Sequence, residues 1–194
     1  MVNQLLQIQT RIAVSDENAL TELYQHFHKR LFQFSRVITR NDEIAEEVVN
    51  DVFVKLWSNR LQVNDIENIT VYLYVAVKNR SLNELSRKAR ELVNTPFDHF
   101  DIEVEETSSN PHELLVTSEI MGRMQKAIEA LPPRCKMIFK LVREDGLKYK
   151  EVSQILNISV NTIDVQMAIA VKRICTALQI DKKSATPLFW PKKS

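Results

Sequence analysis

The chain has 194 residues, 44% of them hydrophobic, with two Gly, two Cys and 26 basic against 25 acidic side chains, a net charge of +1. That length holds one ordinary domain or two small ones, and the composition excludes a disordered or membrane-embedded chain. So little Gly, beside long stretches rich in Leu, Ile, Val, Glu and Lys, excludes a turn-rich sheet protein and predicts an all-α fold.

The opening MVNQLLQIQT lacks the basic and apolar regions of a secretion signal, and no apolar run approaches the roughly 20 residues that span a bilayer. A cytoplasmic protein is expected. The first long helix is predicted from Ser15 or Asp16, where Leu20, Leu23, Tyr24, Phe27, Leu31, Phe34 and Ile38 recur at spacings of three and four. Asn41 and Asp42 break it. A second helix follows from Asp42 to Ser58, with Ala45, Val48, Val49, Val52, Phe53 and Leu56 apolar and Glu46, Glu47, Asp51 and Lys55 on a charged side. LQVNDIENIT is then a loop, and a third helix is predicted from Thr70 to Arg90, turning Leu73, Ala76, Val77, Leu82, Leu85 and Ala89 to a core.

These helices form one predicted domain, 1–90, with 12 basic against 11 acidic side chains. Residues 91–112 hold six acidic side chains, no Lys or Arg, two Pro and no sustained period, so they read as a linker. From 113 to 180 the helical period resumes as a second domain, followed by a tail, 181–194. Residues 113–194 together carry 14 basic against 8 acidic side chains. Pro132 and Pro133 mark a helix start, because Pro suits the first turn, and Gly146 marks its end. Cys135 and Cys175 have no CxxC partner and no His at ligand spacing, which predicts buried free thiols.

The remainder divides into a short helix, Tyr149 to Leu156, a tight turn at Asn157, Ile158 and Ser159, and a longer helix, Val160 to Leu178. That is a helix-turn-helix layout. Val160, Ile163, Met167, Ala170, Val171, Ile174 and Leu178 make its apolar stripe, which leaves Asn161, Thr162, Asp164, Val165, Gln166, Ile169, Lys172 and Arg173 facing outward. Such a face fits the major groove: Asn and Gln pair with adenine, Lys and Arg reach guanine or phosphate, Asp accepts from cytosine, and Val or Ile touches a thymine methyl. Ser153 is small where the two helices must approach, Asn157 tolerates a left-handed turn, and Arg134, Lys136, Lys148 and Lys150 offer charge to phosphates. Two helices joined by a turn need bind nothing, so the layout alone leaves DNA binding open.

Three segments resemble the extracytoplasmic-function sigma factors. AEEVVNDVFVKLW, at 45–57, resembles the family's docking helix for the clamp of the largest subunit of core RNA polymerase, which implies core-binding roles for Glu47, Asp51, Phe53, Lys55 and Trp57. VYLYVAVKNRSLNELSRKAR, at 71–90, resembles the helix that opens the −10 element, with a flipped base held by the preceding loop. Within that reading Asn64 and Asn68 offer paired donors and acceptors, Tyr72 and Tyr74 offer stacking faces, and Lys78, Asn79 and Arg80 meet the strand. Tyr72 or Tyr74 is equally readable as core.

Residues 130–174 resemble the −35-reading domain, which implies promoter contacts from Lys148, Lys150, Asn161, Thr162, Asp164, Val165, Gln166, Lys172 and Arg173. Two positions depart from the pattern: Lys148 replaces a frequent Ser or Thr cap, and Ile169 replaces a frequent Arg. The resemblance also implies an anti-sigma factor as partner, often membrane-anchored, for whose interface Leu188, Phe189 and Trp190 are candidates. Its linker would pass through a channel built for RNA, which suits the acidic Asp98, Asp101, Glu103, Glu105 and Glu106. A promoter spacing of about 17 base pairs is about 58 Å, and a linker of 22 residues extends to roughly 70 Å.

No Gly-rich phosphate loop, HExxH or nucleophile elbow is present, and His26 and His28, two apart, do not share a helical face. Neither metal, cofactor nor enzymatic reaction is expected. The alternative is a helix-turn-helix regulator that is not a sigma subunit, which would have no use for the docking segment at 45–57.

Overall fold

The computed structural model describes residues 2–93 and 117–179. The expectations for most of the acidic linker and for the tail, including Leu188, Phe189 and Trp190, lie outside the described residues. Eight α-helices are present among those described, without a strand: α1 Val2–Ala13, α2 Glu17–Thr39, α3 Asp42–Ser58, α4 Ile69–Val93, α5 Thr117–Glu129, α6 Pro133–Arg143, α7 Tyr149–Leu156 and α8 Val160–Leu178. A 3-10 segment, Arg60–Asp65, links α3 to α4. None of the described helices is long and apolar enough to cross a membrane. Two compact units result: α1 to α4 with residues 150–158, and α5, α6 and α8.

The helix boundaries follow local chemistry. Asp16 accepts from the backbone N–H groups of Asn18 and Ala19 and caps α2. The Arg11 guanidinium hydrogen-bonded to it, 2.8 Å away, holds the Asp16 carboxyl below its ordinary value. Asn41 caps α3 by accepting from Ile44 N at 2.8 Å, and Asp42 and Glu43 in the first turn face the positive end of the helix dipole. Asn41→Ala should therefore lower the unfolding free energy of this unit by about 1 kcal/mol. A shift of the urea midpoint smaller than that of an exposed control such as Thr21→Ala would show the cap to be inert.

Pro132 and Pro133 open α6 as expected, and Gly146, at φ 71, lies in the turn that follows it, where Leu147 N donates back to Leu141 O at 3.0 Å. Elsewhere the chain takes left-handed corners without glycine, at Ser15, Arg40, Asn157 and Gln179.

The first unit buries Ala19, Leu23, Phe27, Leu31 and Phe34 of α2 against Ala45, Val48, Val49, Val52, Phe53 and Leu56 of α3. Helix α1 was not foreseen: Ile8 and Ile12 are buried, and they pack α1 against α2 and the 3-10 segment. The apolar face of α4 is also rotated from the expected one. Leu73 and Val77 are buried, but Leu82 and Leu85 are exposed at 46% and 36%. The buried seam instead runs Ile69, Leu73, Val77, Ser81, Glu84. Two polar side chains can occupy it because both are satisfied: the Ser81 hydroxyl pairs with that of Ser35 at 2.9 Å, and Glu84 is gripped by two arginines.

In the second unit Ile163, Met167, Ala170, Val171, Ile174 and Cys175 turn inward, and α8 packs on α5 and α6. Val160, placed in the stripe by periodicity, is 46% exposed, because it is the first residue of α8 and lies ahead of the packed turns. Cys135 and Cys175 are buried and free, and the Cys135 thiol donates to Gln166 O at 3.3 Å. Burial pushes the Cys135 pKa up, so it stays an unreactive thiol.

Candidate nucleic-acid interface

Helix α3 has a buried side of seven residues and an outward stripe, Glu43, Glu47, Asn50, Val54 and Ser58, all exposed. Of the expected docking residues, Glu47 and Lys55 are exposed and Asp51 and Trp57 are half-buried. Phe53 is a correction. It is 4% exposed, and its ring meets Tyr24 edge-on at 4.9 Å, so it holds α3 to α2 and presents nothing outward. Val54 was missed; it is 65% exposed in the middle of the polar stripe. An apolar residue at i+1 from a buried one, on a helix with the opposite side full, was the signal for it.

Asp51 and Arg80 bring α3 and α4 together. Arg80 donates to Asp51 Oδ2 from Nη2 at 2.7 Å and from Nε at 3.1 Å, while its Nη1 lies 2.8 Å from Glu84 Oε1. Glu84, 3% exposed, is also bridged by Arg87 at 2.7 Å. The guanidinium of Arg80 is thus shared between two carboxylates. Asp51, Lys55, Asn68, Tyr72, Asn79 and Arg80 all line one cleft between the two helices. Residues singled out by two separate motifs therefore share a single concave surface.

Asn64 and Asn68 are exposed, and Asn68 Oδ1 accepts from Val71 N at 3.1 Å at the start of α4. Tyr72 and Lys78 are half-buried and Asn79 is exposed. Tyr74 is the second correction: at 1% exposure, with its ring edge-on to Phe34 at 5.2 Å, it is core and offers no stacking face. Two residues along a helix turn the side chain by about 200°, so Tyr72 and Tyr74 cannot share a face.

At the other end of the chain α7 stops at Leu156, Asn157 takes φ 54, and α8 begins at Val160 with Ser159 accepting from Thr162 N at 3.0 Å. Ser153 also fixes the turn: its hydroxyl donates to Ile158 O at 2.6 Å. On α8, Asn161, Val165, Ile169, Lys172 and Arg173 are exposed, Thr162 and Gln166 half-buried. Asp164 is also half-buried, and one of its carboxylate oxygens is enclosed without a hydrogen-bond partner. Lys148 and Lys150 are exposed, as is Arg134, whereas Lys136 and Lys140 both bridge Glu129 of α5, at 2.9 and 3.0 Å. Burial pushes the Glu129 carboxyl up, but the two ammonium groups outweigh it and hold it below its ordinary value.

The family model described as sigma-70 region 2 matches residues 23–91, and that described as sigma-70, region 4 matches residues 121–174. An extracytoplasmic-function sigma-E factor of Escherichia coli is 26% identical over 160 residues, covering 79% of this chain and 83% of its own. The chain belongs to the sigma-70 family, as a sigma factor of the extracytoplasmic-function type. The region 2 match takes in α3 and α4 and so decides against a conventional helix-turn-helix regulator.

Another relative, the sigma factor SigK of Mycobacterium bovis, is 20% identical over 170 residues, covering 88% of this sigma factor and 91% of its own length. Two solved structures share the fold. CnrH, in complex with the cytosolic domain of CnrY, aligns over 91% of this chain with a TM-score of 0.55 and 16% identity. RpoE, in complex with the anti-sigma factor NepR from Bartonella quintana, aligns over 83% with a TM-score of 0.58 and 18% identity. A sigma factor performs no bond chemistry; it directs the polymerase to initiate transcription at promoters.

Proposed function

We propose that this sigma factor acts in the cytoplasm through three surfaces: the outward stripe of α3 together with the flanking Asp51, Lys55 and Trp57 for core polymerase, the loop 60–68 with the first turns of α4 for the −10 element, and the exposed side of α8 for the −35 element. Residues 1–90 then form the polymerase-binding and melting module, 91–112 the linker, 113–180 the −35 module and 181–194 a tail. The observation that carries the reading is the cleft between α3 and α4. It is lined by the amides of Asn68, Asn79 and Asn83, the Tyr72 ring, Lys55 and Arg80, and the carboxylates of Asp51 and Glu67, of which Asp51 already pairs with Arg80; the ring and the amides suit an unstacked base.

The core-binding candidates are Glu47, Asp51, Lys55 and Trp57, to which the exposed Val54 is added. Those for −10 are Asn64, Asn68, Tyr72, Lys78, Asn79 and Arg80. For −35 they are Asn161, Thr162, Val165, Gln166, Lys172 and Arg173, with phosphate contacts from Lys148 and Lys150. Asp164 keeps one oxygen enclosed, so its accepting role toward cytosine falls to the other. Control by an anti-sigma factor is part of the proposal, supported by the two related structures, one solved with an anti-sigma factor and one with the cytosolic domain of a partner.

The test is transcription in vitro from a genomic library with purified core polymerase. Specific starts should appear with the wild type and fall at least tenfold with a Glu47→Arg, Lys55→Glu double variant, both sites being exposed and outside the core. Asp51→Arg is a poorer probe, because it would set a second cation against Arg80. No new starts with the folded wild-type protein would overturn the reading.

A further inference from the structure

The proposed −10 loop is supported from behind by one side chain of α1. Gln9 is 6% exposed, and its Nε2 donates to two carbonyls of that loop, Val63 O at 3.1 Å and Ile66 O at 3.0 Å. A primary amide has two N–H donors on one nitrogen, so both are used. The carbonyls concerned lie at the end of the 3-10 segment Arg60–Asp65, where Val63 O also accepts from the backbone N–H of Ile66 at 3.2 Å and the segment stops. Val63 is 1% exposed and sits against α1, while Asn64 and Asp65, between the two carbonyls, are exposed.

A second tie holds the start of the same segment. Arg60 donates from Nε to Ser15 Oγ at 2.8 Å and from Nη1 to Trp57 O at 3.2 Å, with its guanidinium 4.9 Å from the Trp57 ring centroid. Ser15 belongs to the turn between α1 and α2. The loop is therefore anchored at both ends by the first fifteen residues, and its interior polar residues are left to face outward.

We infer that Gln9 is a positioning residue for −10 recognition: by holding Val63 O and Ile66 O it fixes the backbone on either side of Asn64 and so the place where a base is read. The inference rests on the reading of the loop as the −10 site. It assigns to α1, a helix with no contact to DNA in that reading, a part in sequence discrimination. No other side chain hydrogen-bonds both carbonyls among the described contacts, and an aliphatic replacement would take the side-chain donor from Ile66 O and leave Val63 O with the backbone N–H of Ile66 at 3.2 Å.

The experiment measures discrimination: the ratio of open-complex formation on the cognate −10 sequence to that on each single-base variant, with core affinity measured alongside. Gln9→Met keeps the length of the side chain and removes both donors; its ratio should fall at least fivefold while core affinity stays within twofold. Ile12→Val loosens α1 packing without touching the carbonyls and should retain the wild-type ratio, which separates positioning from a general loss of stability. Asn64→Ala and Asn68→Ala test the underlying reading. If they flatten discrimination and Gln9→Met does not, the role of Gln9 is overturned and the loop reading stands. If neither asparagine matters, the loop reading fails and the inference with it. Equal flattening by Ile12→Val and Gln9→Met would also overturn it, since packing alone would then suffice.

Discussion

Tyr74→Ala is expected to destabilise the first helical unit by about 3–5 kcal/mol, whereas Tyr72→Ala, two residues earlier, leaves stability nearly unchanged and weakens promoter opening. The Tyr74 ring is fully enclosed and lies edge-on to Phe34, so truncation removes its transfer free energy, leaves a cavity and loses an aromatic pair. The ring of Tyr72 lines the cleft and is only half-buried. If it stacks on an unpaired base, its loss costs about 1–3 kcal/mol, or roughly 5- to 150-fold, in opening. Urea unfolding followed by circular dichroism, then abortive transcription at a temperature where both variants are folded, separates the two effects. A stable Tyr74→Ala protein that fails only in opening would return Tyr74 to the DNA surface.

The ionic chain across α3 and α4 gives the second large effect. Arg80→Ala removes the partner of Asp51 and one of two guanidiniums holding Glu84, a carboxylate with 3% exposure. Breaking a buried pair costs about 3–5 kcal/mol when nothing compensates. Arg87 remains here, so the expected loss is on the order of 2 kcal/mol. Glu84→Gln in the same chain should recover most of it, because the amide no longer requires a cation. Additive losses in that double variant would show that Arg80 and Glu84 are not coupled. Arg80→Lys is not a substitute, since one ammonium cannot reach two carboxylates with the guanidinium's fork.

Helix ends were the most legible part of the sequence. Asp42–Ser58, Tyr149–Leu156 and Val160–Leu178 emerged with the predicted limits because their caps and turn residues, Asn41, Asn157 and Ser159, act locally. The inward face of α4 was illegible for the opposite reason. Leu82 and Leu85 repeat at helical spacing as a core pair would, while the true seam includes Ser81 and Glu84, whose burial depends on Ser35 and on Arg80 and Arg87. A hydrophobic pattern does not show that a distant hydroxyl will meet another.

Helix α1 was hidden by its glutamines, which mask the spacing of Leu5, Ile8 and Ile12, and Gln9 itself is buried only because two loop carbonyls lie above it. For the candidate site, family likeness pointed to α3 and α4 but included Phe53 and Tyr74, whose rings the structure buries. A ring in a binding motif is equally useful to the core, and only the tertiary structure assigns these two to it.

The four left-handed corners have a consequence for evolvability. Ser15, Arg40, Asn157 and Gln179 each hold a Cβ in a conformation that costs most residues about 1–2 kcal/mol and that glycine adopts freely. Two of these, Arg40 and Gln179, end the long helices α2 and α8, where glycine is the commonest terminator. The backbone therefore admits a more stable sequence than the one it carries, reachable by single glycine substitutions at Arg40 and Gln179, neither of which is among the proposed promoter-reading residues. A lineage could draw on that reserve to tolerate destabilising changes on its promoter-reading surfaces, so that recognition diverges while the bundle beneath it persists.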